Sequence, residues 1–286
     1  MSSAAFPIIL CLLSAITVAI ANFFVKRGGD VLTARMVLSL SMAASVLPLA
    51  PFVPLPPQGM WLPILGSVVV HWVYQFCLIR ALHRGDLSLV FPVMRGLGPL
   101  ATAIIAVFAL GETLNLVQTI GLIAASLSLL LFAIPTSTTT SGRKLDRDAI
   151  FWSGMAAAGI GAYAVVDASV SRAMPNVWTF VVWLFLLDWI GITVVTLWTR
   201  RGQVIARVRP QLKAGIVGGV AGTLSYGLAI YAYTLMDTVL VTALRETSVV
   251  FAAMLGFVFL KEGFGPRRMV AASILATGLI VMQVAA

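Results

Sequence analysis

Long apolar stretches alternate with short polar gaps along the whole chain. A helix needs about 20 mostly apolar residues to cross the hydrocarbon core of a bilayer. Ten stretches meet this requirement, at residues 6–26, 31–51, 60–82, 87–110, 116–134, 150–172, 177–199, 213–235, 238–260 and 267–285. The pattern predicts an all-α integral membrane protein of ten transmembrane helices joined by short loops.

A polar run rich in Ser and Thr divides the ten segments into two sets of five. Residues 135–148 form this run, and a shift of 150 residues places Arg95 on Arg245 and Glu112 on Glu262. We therefore predict a first repeat at 1–134, a polar linker at 135–148 and a second repeat at 149–286.

The positive charges predict that the two repeats are inverted. Five helices in a repeat bring the chain to the opposite side, so the second copy enters the membrane from there. Of the 19 Lys and Arg residues, sixteen lie in or next to the odd-numbered loops, and one, Arg172, lies on the other side. By the positive-inside rule, the odd-numbered loops face the cytoplasm and both termini face outside.

The composition excludes most soluble classes. The chain is 60% hydrophobic and 10% charged, whereas a soluble domain is about 25% charged. The net charge of +9 reflects loop topology, so we expect no nucleic-acid partner. Cys11 and Cys77 stand alone in apolar segments, and no metal or cofactor motif is present, so we expect neither.

Charged residues inside the predicted helices are the first candidates for a functional site. Each costs about 2.5–3.5 kcal/mol at a helix centre on insertion scales, so it needs a wet cavity or a partner. These candidates are Arg95, Asp167, Asp188, Arg245 and Glu246, together with His71. In inverted halves, Arg95 and Arg245 should lie toward opposite faces. Arg245 either pairs with Asp167 or Glu246, or contacts a substrate.

Polar and aromatic residues that share helix faces extend this list. In the third segment His71, Tyr74 and Gln75 stand at i, i+3 and i+4, with Trp72 beside them. This face predicts a cavity wall, and the alternative is a hydrogen-bonded seam between helices. Further candidates for the wall come from other segments: Asn22, Tyr163, Asp167, Trp183, Tyr226 and Tyr233.

The ends of the fourth segments carry a family resemblance. Each half closes its fourth segment with a small or apolar run, which leads into Gly111 and Glu112 or into Lys261 and Glu262. Two such five-helix halves resemble the EamA-type members of the drug/metabolite transporter superfamily, and most of all the YddG-type amino-acid exporters. The resemblance covers essentially the whole chain. It implies a ten-helix basket around a central cavity, no bound cofactor, and export of amino acids and related metabolites from the bacterial cytoplasm.

The leading hypothesis is a secondary exporter of amino acids, aromatic or apolar ones, in the bacterial inner membrane. The pattern is compatible with a monomer surrounded by lipid that works by alternating access. Arg245 or Arg95 would receive the substrate carboxylate, and Asp167, Gln75 or a tyrosine its ammonium group. The alternative is efflux of cationic drug-like compounds through cation–π contacts. An enzyme is disfavoured because no nucleophile–base pair or metal motif is present, and a passive channel ranks lower.

The charge distribution makes a topological prediction. Cysteines introduced at Ser137 or Ser141 should resist impermeant thiol reagents added to intact cells, whereas a cysteine at Ala285 should react. The opposite labelling pattern would place both termini in the cytoplasm.

Overall fold

The computed structural model describes residues 5–26, 30–85, 87–133, 147–260 and 266–285, and every regular element within these ranges is helical. The first half contains α1 (Ala5–Lys26), α2 (Val31–Val46), α3 (Trp61–Arg84), α4 (Leu87–Leu110) and α5 (Leu116–Ala133). The second contains α6 (Arg147–Ala173), α7 (Val177–Arg200), α8 (Val204–Val208), α9 (Leu212–Tyr233), α10 (Thr238–Arg245), α11 (Ser248–Leu260) and α12 (Pro266–Val284).

Nine of the ten predicted segments each overlap one of these helices, and the all-helical fold class is confirmed. Six stretches are long and apolar enough to cross a membrane, namely Ala5–Phe24, Val31–Phe52, Gln58–Arg84, Leu89–Leu110, Arg147–Ala173 and Val177–Tyr233, of which the last covers α7 to α9. Shorter apolar stretches lie in α5 and α12. The number of ten crossings stays a prediction. Most of the linker predicted at 135–148, and Glu262, lie outside the described residues.

The ninth predicted segment is two helices rather than one. Residues Glu246 and Thr247 form a turn between α10 and α11. The amides of Glu246, Thr247, Val249 and Val250 each bond to the carbonyl three residues earlier, which is the tighter 3₁₀ pattern. The Thr247 hydroxyl also donates to the Leu244 carbonyl at 2.7 Å. This local bond favours the turn over a continuous helix.

Large apolar side chains cover the outside of the molecule. Phe108 in α4 is 87% exposed and Leu62 in α3 is 79% exposed, and similar residues occur on most other helices. Soluble monomers rarely expose contiguous apolar patches larger than a few hundred Å². The surface is therefore suited to lipid.

Helices of the two halves pack on each other in matching pairs. α3 and α4 pack against α6, the first helix of the second half, while α9, α10 and α11 pack against α1, the first helix of the first half. α2 packs against α7, and α5 against α12, so equivalent helices meet directly. Such an exchange of partners is expected of two pseudo-symmetric repeats.

Glycines allow the closest crossings between helices. A Cβ atom added to Gly121 of α5 would lie 2.6 Å from the carbonyl oxygen of Gly278 in α12. A Cβ added to Gly161 of α6 would lie 2.6 Å from the carbonyl carbon of Ala101 in α4. Because membrane helices approach this closely only through small residues, the glycines set the spacing of both pairs.

An ion cluster joins the two halves beside the first loop. The Asp30 carboxylate accepts hydrogen bonds from Arg200 at 2.8 Å, from Arg207 at 3.1 Å and from Thr33 at 2.8 Å. Burial opposes the charge on Asp30, but these bonds outweigh it and hold the pKa of the carboxyl below its ordinary value. The group therefore contributes stability at neutral pH, and this contribution is lost as the pH falls below about 3.9.

Candidate functional site

A cavity of about 140 Å³ lies between the halves, bordered by α1, α2, α3, α4, α6, α7, α9 and α10. It extends from the middle of these helices toward Asn22 and Arg35, near the connection between α1 and α2. Nine of the fourteen candidate residues line it: Asn22, His71, Tyr74, Gln75, Arg95, Tyr163, Asp188, Tyr226 and Arg245. Sequence reasoning thus located most of the polar lining of the cavity.

Asp167 is completely buried behind the cavity wall. One carboxylate oxygen accepts a short hydrogen bond from the Ser67 hydroxyl. The other accepts a hydrogen bond from the Tyr226 hydroxyl at 2.5 Å and lies 2.9 Å from Nε2 of His71. The predicted pairing of Asp167 with Arg245 is wrong, because these three partners occupy the carboxylate. Asp167 instead fixes the positions of two residues that line the cavity.

Aromatic rings form one wall of the cavity. The Tyr163 ring stacks on the His71 ring with centroids 4.6 Å apart, and the Tyr74 ring meets Tyr163 edge-on at 5.1 Å. Phe185 meets Tyr226 edge-on at 6.2 Å. Such rings offer a ligand apolar faces together with polar edges.

A second carboxylate, Asp188, lines the cavity from α7. Nε2 of Gln75 donates to its two oxygens at 3.0 and 3.2 Å. The Trp72 indole donates to the Asp188 backbone carbonyl at 2.8 Å, and its ring packs against Gly191. On α3, Gln75 therefore lines the cavity, whereas Trp72 packs between two helices. Among the described residues, no basic side chain forms an ion pair with Asp188.

The two equivalent arginines lie at the same cavity, and their placement toward opposite faces of the membrane stays a prediction. Arg95 stands eight residues into α4 and Arg245 seven residues into α10, or about 11 to 12 Å along each helix. If the helices start on opposite sides of an apolar layer of about 30 Å, the depths differ by only about 7 Å. Two long side chains span that difference.

The partners of the two arginines differ. Nη1 of Arg95 lies 3.2 Å from Oε1 of Glu246, and both side chains are mostly buried. Glu246 therefore pairs with Arg95 and not with Arg245. Nε of Arg245 donates to the Ser14 hydroxyl at 2.9 Å, and its guanidinium lies 5.2 Å from the centroid of the Tyr226 ring. Within the described ranges, Arg245 forms no ion pair.

Two other candidates lie away from the cavity. The Trp183 ring meets Trp61 edge-on at 5.0 Å, which places it between α7 and the start of α3. Tyr233 shares a helix face with Tyr226 but stands two turns, about 10 Å, nearer the end of α9. Tyr233 is only 1% exposed there. The spacing along α9 predicted which side of the helix Tyr233 lies on, but not its distance from the cavity along the helix.

Five polar residues at the site were missed. Ser67 bonds to Asp167 and Ser14 bonds to Arg245. The others line the cavity, namely Arg35, Ser39 and Ser225. Ser67 stands four residues before His71, so the polar face of α3 contained a signal for it. Ser14 is one of two hydroxyl residues in an otherwise largely apolar helix and gave none. Arg35 was counted only as a loop charge.

Glu112, the carboxylate that follows α4, joins the two halves at the helix ends farthest from Asn22 and Arg35. Oε1 of Glu112 accepts hydrogen bonds from the amide and hydroxyl of Thr238, at 2.9 and 2.6 Å. Nη2 of Arg172, at the end of α6, donates to the same oxygen at 3.0 Å. The carboxylate after α4 thus caps the first turn of α10. We call Glu112, Arg172 and Thr238 the outer clasp, because the charge pattern places these helix ends outside.

Metal-ligating side chains are not clustered in the part of the chain that the structure describes. No three His, Cys, Asp or Glu residues come together there around one point. What the described cavity offers a ligand is charge, hydrogen bonds and aromatic surface.

Comparison with known proteins gives a family for the chain. The model of the EamA-like transporter family matches residues 5–134 and 148–284. One solved crystal structure has 18% sequence identity and a TM-score of 0.74, over 100% of this chain and 99% of that chain. At that identity the likeness shows the fold alone. No curated protein matches the chain.

Proposed function

The chain belongs to the EamA-like transporter family, and we propose that it exports amino acids with apolar or aromatic side chains, as the YddG-type exporters do. Members of the family are membrane transporters of small molecules with two repeats, and they are not enzymes. The proposal adds a substrate class, a direction, a monomeric state and a location in the bacterial inner membrane.

The observation that carries the proposal is a pair of unmatched charges at one cavity. Among the described residues, Arg245 forms no ion pair with a carboxylate and Asp188 forms none with a basic side chain, and both line the cavity. A zwitterion supplies both missing partners, since its carboxylate suits the guanidinium and its ammonium group suits Asp188. Leaving either charge unmatched in an apolar environment is costly.

The remaining lining favours an apolar or aromatic side chain on the substrate. The rings of Tyr74, Tyr163, Tyr226 and Phe185 provide most of one wall. A phosphorylated sugar would require several cations at one depth, and here Arg95 is already paired with Glu246.

The position of the cavity supports loading from the cytoplasm. Its lining extends to Asn22 and Arg35, near the first loop, where the positive charges predict the cytoplasmic side. The outer clasp ties the opposite helix ends together. This arrangement corresponds to the substrate-accepting state of an exporter.

Counterflow in liposomes tests the proposal. Vesicles that contain the purified protein and an excess of unlabelled leucine or phenylalanine should accumulate the labelled amino acid transiently and saturably. Vesicles without protein serve as the control. If no amino acid exchanges, the substrate class is wrong.

A second candidate, efflux of cationic drug-like compounds, is favoured by Asp188 and the aromatic wall. A cationic substrate, however, would leave Arg245 without an anionic partner. Competition decides between the two, because a quaternary ammonium dye should compete poorly with leucine if the substrate is a zwitterion. Strong inhibition by the dye, without leucine exchange, would favour drug efflux.

Shortening the side chains on α3 should impair transport and not folding. We expect Tyr74→Ala and Gln75→Ala each to reduce the counterflow rate about 3- to 10-fold, because each removes a contact worth about 1 kcal/mol from the wall. Val73→Ala is the matched control, since Val73 lies on the same helix and is 53% exposed on the outside. If both variants transport normally, this face of α3 packs against other helices and does not contact the substrate.

A further inference from the structure

Three polar groups surround the buried carboxyl group of Asp167. Here Ser67 and Tyr226 both donate to Asp167, and Nε2 of His71 provides the third contact. The Asp167 side chain is 0% exposed, so these three groups are its polar surroundings.

His71 is the group that sets the charge of this cluster. Ser67 and Tyr226 are neutral, and among the described residues His71 is the only basic side chain paired with Asp167. With Asp167 taken as a carboxylate, a neutral imidazole gives the cluster one negative charge and an imidazolium gives it none. Histidine is the side chain that ordinarily changes charge near neutral pH.

His71 also connects the buried carboxylate to the cavity. Asp167 has no exposed surface, whereas His71 is 13% exposed and belongs to the cavity lining. A proton can therefore reach the imidazole from cavity water, with Asp167 as the buried counter-charge.

The protonated cluster and a bound zwitterion oppose each other. An imidazolium in the cavity wall would repel the ammonium group of a substrate held by Asp188, whereas the negatively charged cluster would attract it. We propose that His71 and Asp167 form a proton-binding site whose occupancy competes with substrate, so that this exporter is a proton antiporter. The proposal rests on the proposed function.

The proton balance is simple. A proton from water on the outer side binds the imidazole of His71 after the substrate has left, and it passes to cytoplasmic water when the next substrate binds. No covalent bond of the substrate changes. Because a zwitterion carries no net charge, each cycle moves one positive charge inward.

Other ionisable groups share the cavity and could contribute to a pH response. They are Arg35 on α2, Tyr74 on α3, Arg95 on α4, Tyr163 on α6, Asp188 on α7, Tyr226 on α9 and Arg245 on α10. Asp167 contacts His71 and differs from all of them because it does not line the cavity. Asp167→Asn therefore removes the counter-charge of the imidazolium without removing a wall residue.

A pH gradient across proteoliposomes tests the proton site. With the membrane potential clamped, vesicles that are one pH unit more acidic inside should accumulate labelled leucine about tenfold, because one pH unit corresponds to a tenfold ratio for one exchanged proton. In weakly buffered detergent solution, leucine binding to the wild-type protein should release protons, as reported by a pH dye.

The variants locate the proton site. Asp167→Asn should lose proton release and should lower the accumulation driven by the pH gradient far more than the counterflow rate measured on the same vesicles. Asp237→Asn is the matched control, because it makes the same change in the loop between α9 and α10, and it should behave as wild type. If Asp167→Asn does not fold, the same measurements on His71→Gln and on the wild type still test the proton site.

The outcomes separate this proposal from the proposed function. If the wild type shows counterflow but neither accumulation in response to the pH gradient nor proton release, the proton site alone is overturned. Unchanged coupling in Asp167→Asn would place the proton elsewhere. Failure of any amino acid to exchange would overturn the substrate class instead.

Discussion

Arg245→Gln should weaken substrate binding about 10- to 100-fold while the protein remains stably folded. A hydrogen bond to a charged group contributes about 1.5–3 kcal/mol, and each 1.4 kcal/mol corresponds to a tenfold change in affinity. The substitution breaks no ion pair among the described residues, where Arg245 donates to the Ser14 hydroxyl and lies against the Tyr226 ring. Removing an unmatched buried charge also offsets the lost contacts.

Two measurements on the same preparation check this result. Leucine affinity is read from counterflow at increasing concentration, and stability from the thermal unfolding midpoint in detergent. Arg245→Lys keeps the charge without the bidentate geometry and should lie between the wild type and Arg245→Gln. A large fall in the unfolding midpoint with unchanged leucine affinity would make Arg245 a structural residue.

The repeat-equivalent substitution, Arg95→Gln, should have the opposite effect. It leaves Glu246, which is 2% exposed, without its ion-pair partner. Breaking a buried pair by removing one member costs about 3–5 kcal/mol, because the remaining charge is uncompensated. We expect a pronounced loss of thermal stability, and poor accumulation of the variant in the membrane.

The double variant Arg95→Gln/Glu246→Gln distinguishes a lost pair from a lost cavity wall. Neutral amides at both positions can bond to each other, so most of the lost stability should return. Thermal unfolding of the wild type, both single variants and the double variant gives the coupling between the two residues. Additive losses in the double variant would show that the two side chains do not depend on each other.

The helices were readable from the sequence because membrane helices depend on continuous apolar length. The predicted segment at 177–199 and α7 (Val177–Arg200) differ by one residue at the end. The turn at Glu246 and Thr247 was not foreseen, although four consecutive polar residues, 245–248, interrupt the apolar run there. It arises from hydrogen bonds over three residues, and hydropathy does not register such bonds.

The pairing of charges was less predictable than their location. Helix faces brought His71, Tyr74 and Gln75 to one wall, as expected. The partners of Arg245 were wrong because the prediction matched charges by depth alone. Which carboxylate an arginine reaches depends on how the helices are rotated and on neutral groups such as Ser14, and a single sequence does not specify these.

The outer clasp bears on the speed of transport rather than on its selectivity. Glu112 binds no part of the cavity, yet its hydrogen bonds to Thr238 and Arg172 join α4 to the start of α10 and the end of α6. In the proposed export by alternating access, a state open on that side has to separate these helix ends, so the bonds would contribute to an activation barrier that every turnover crosses. A weaker clasp would leave substrate affinity in the closed state unchanged and alter the turnover number. Evolution can therefore tune the rate of such a carrier at a carboxylate that its substrate never touches.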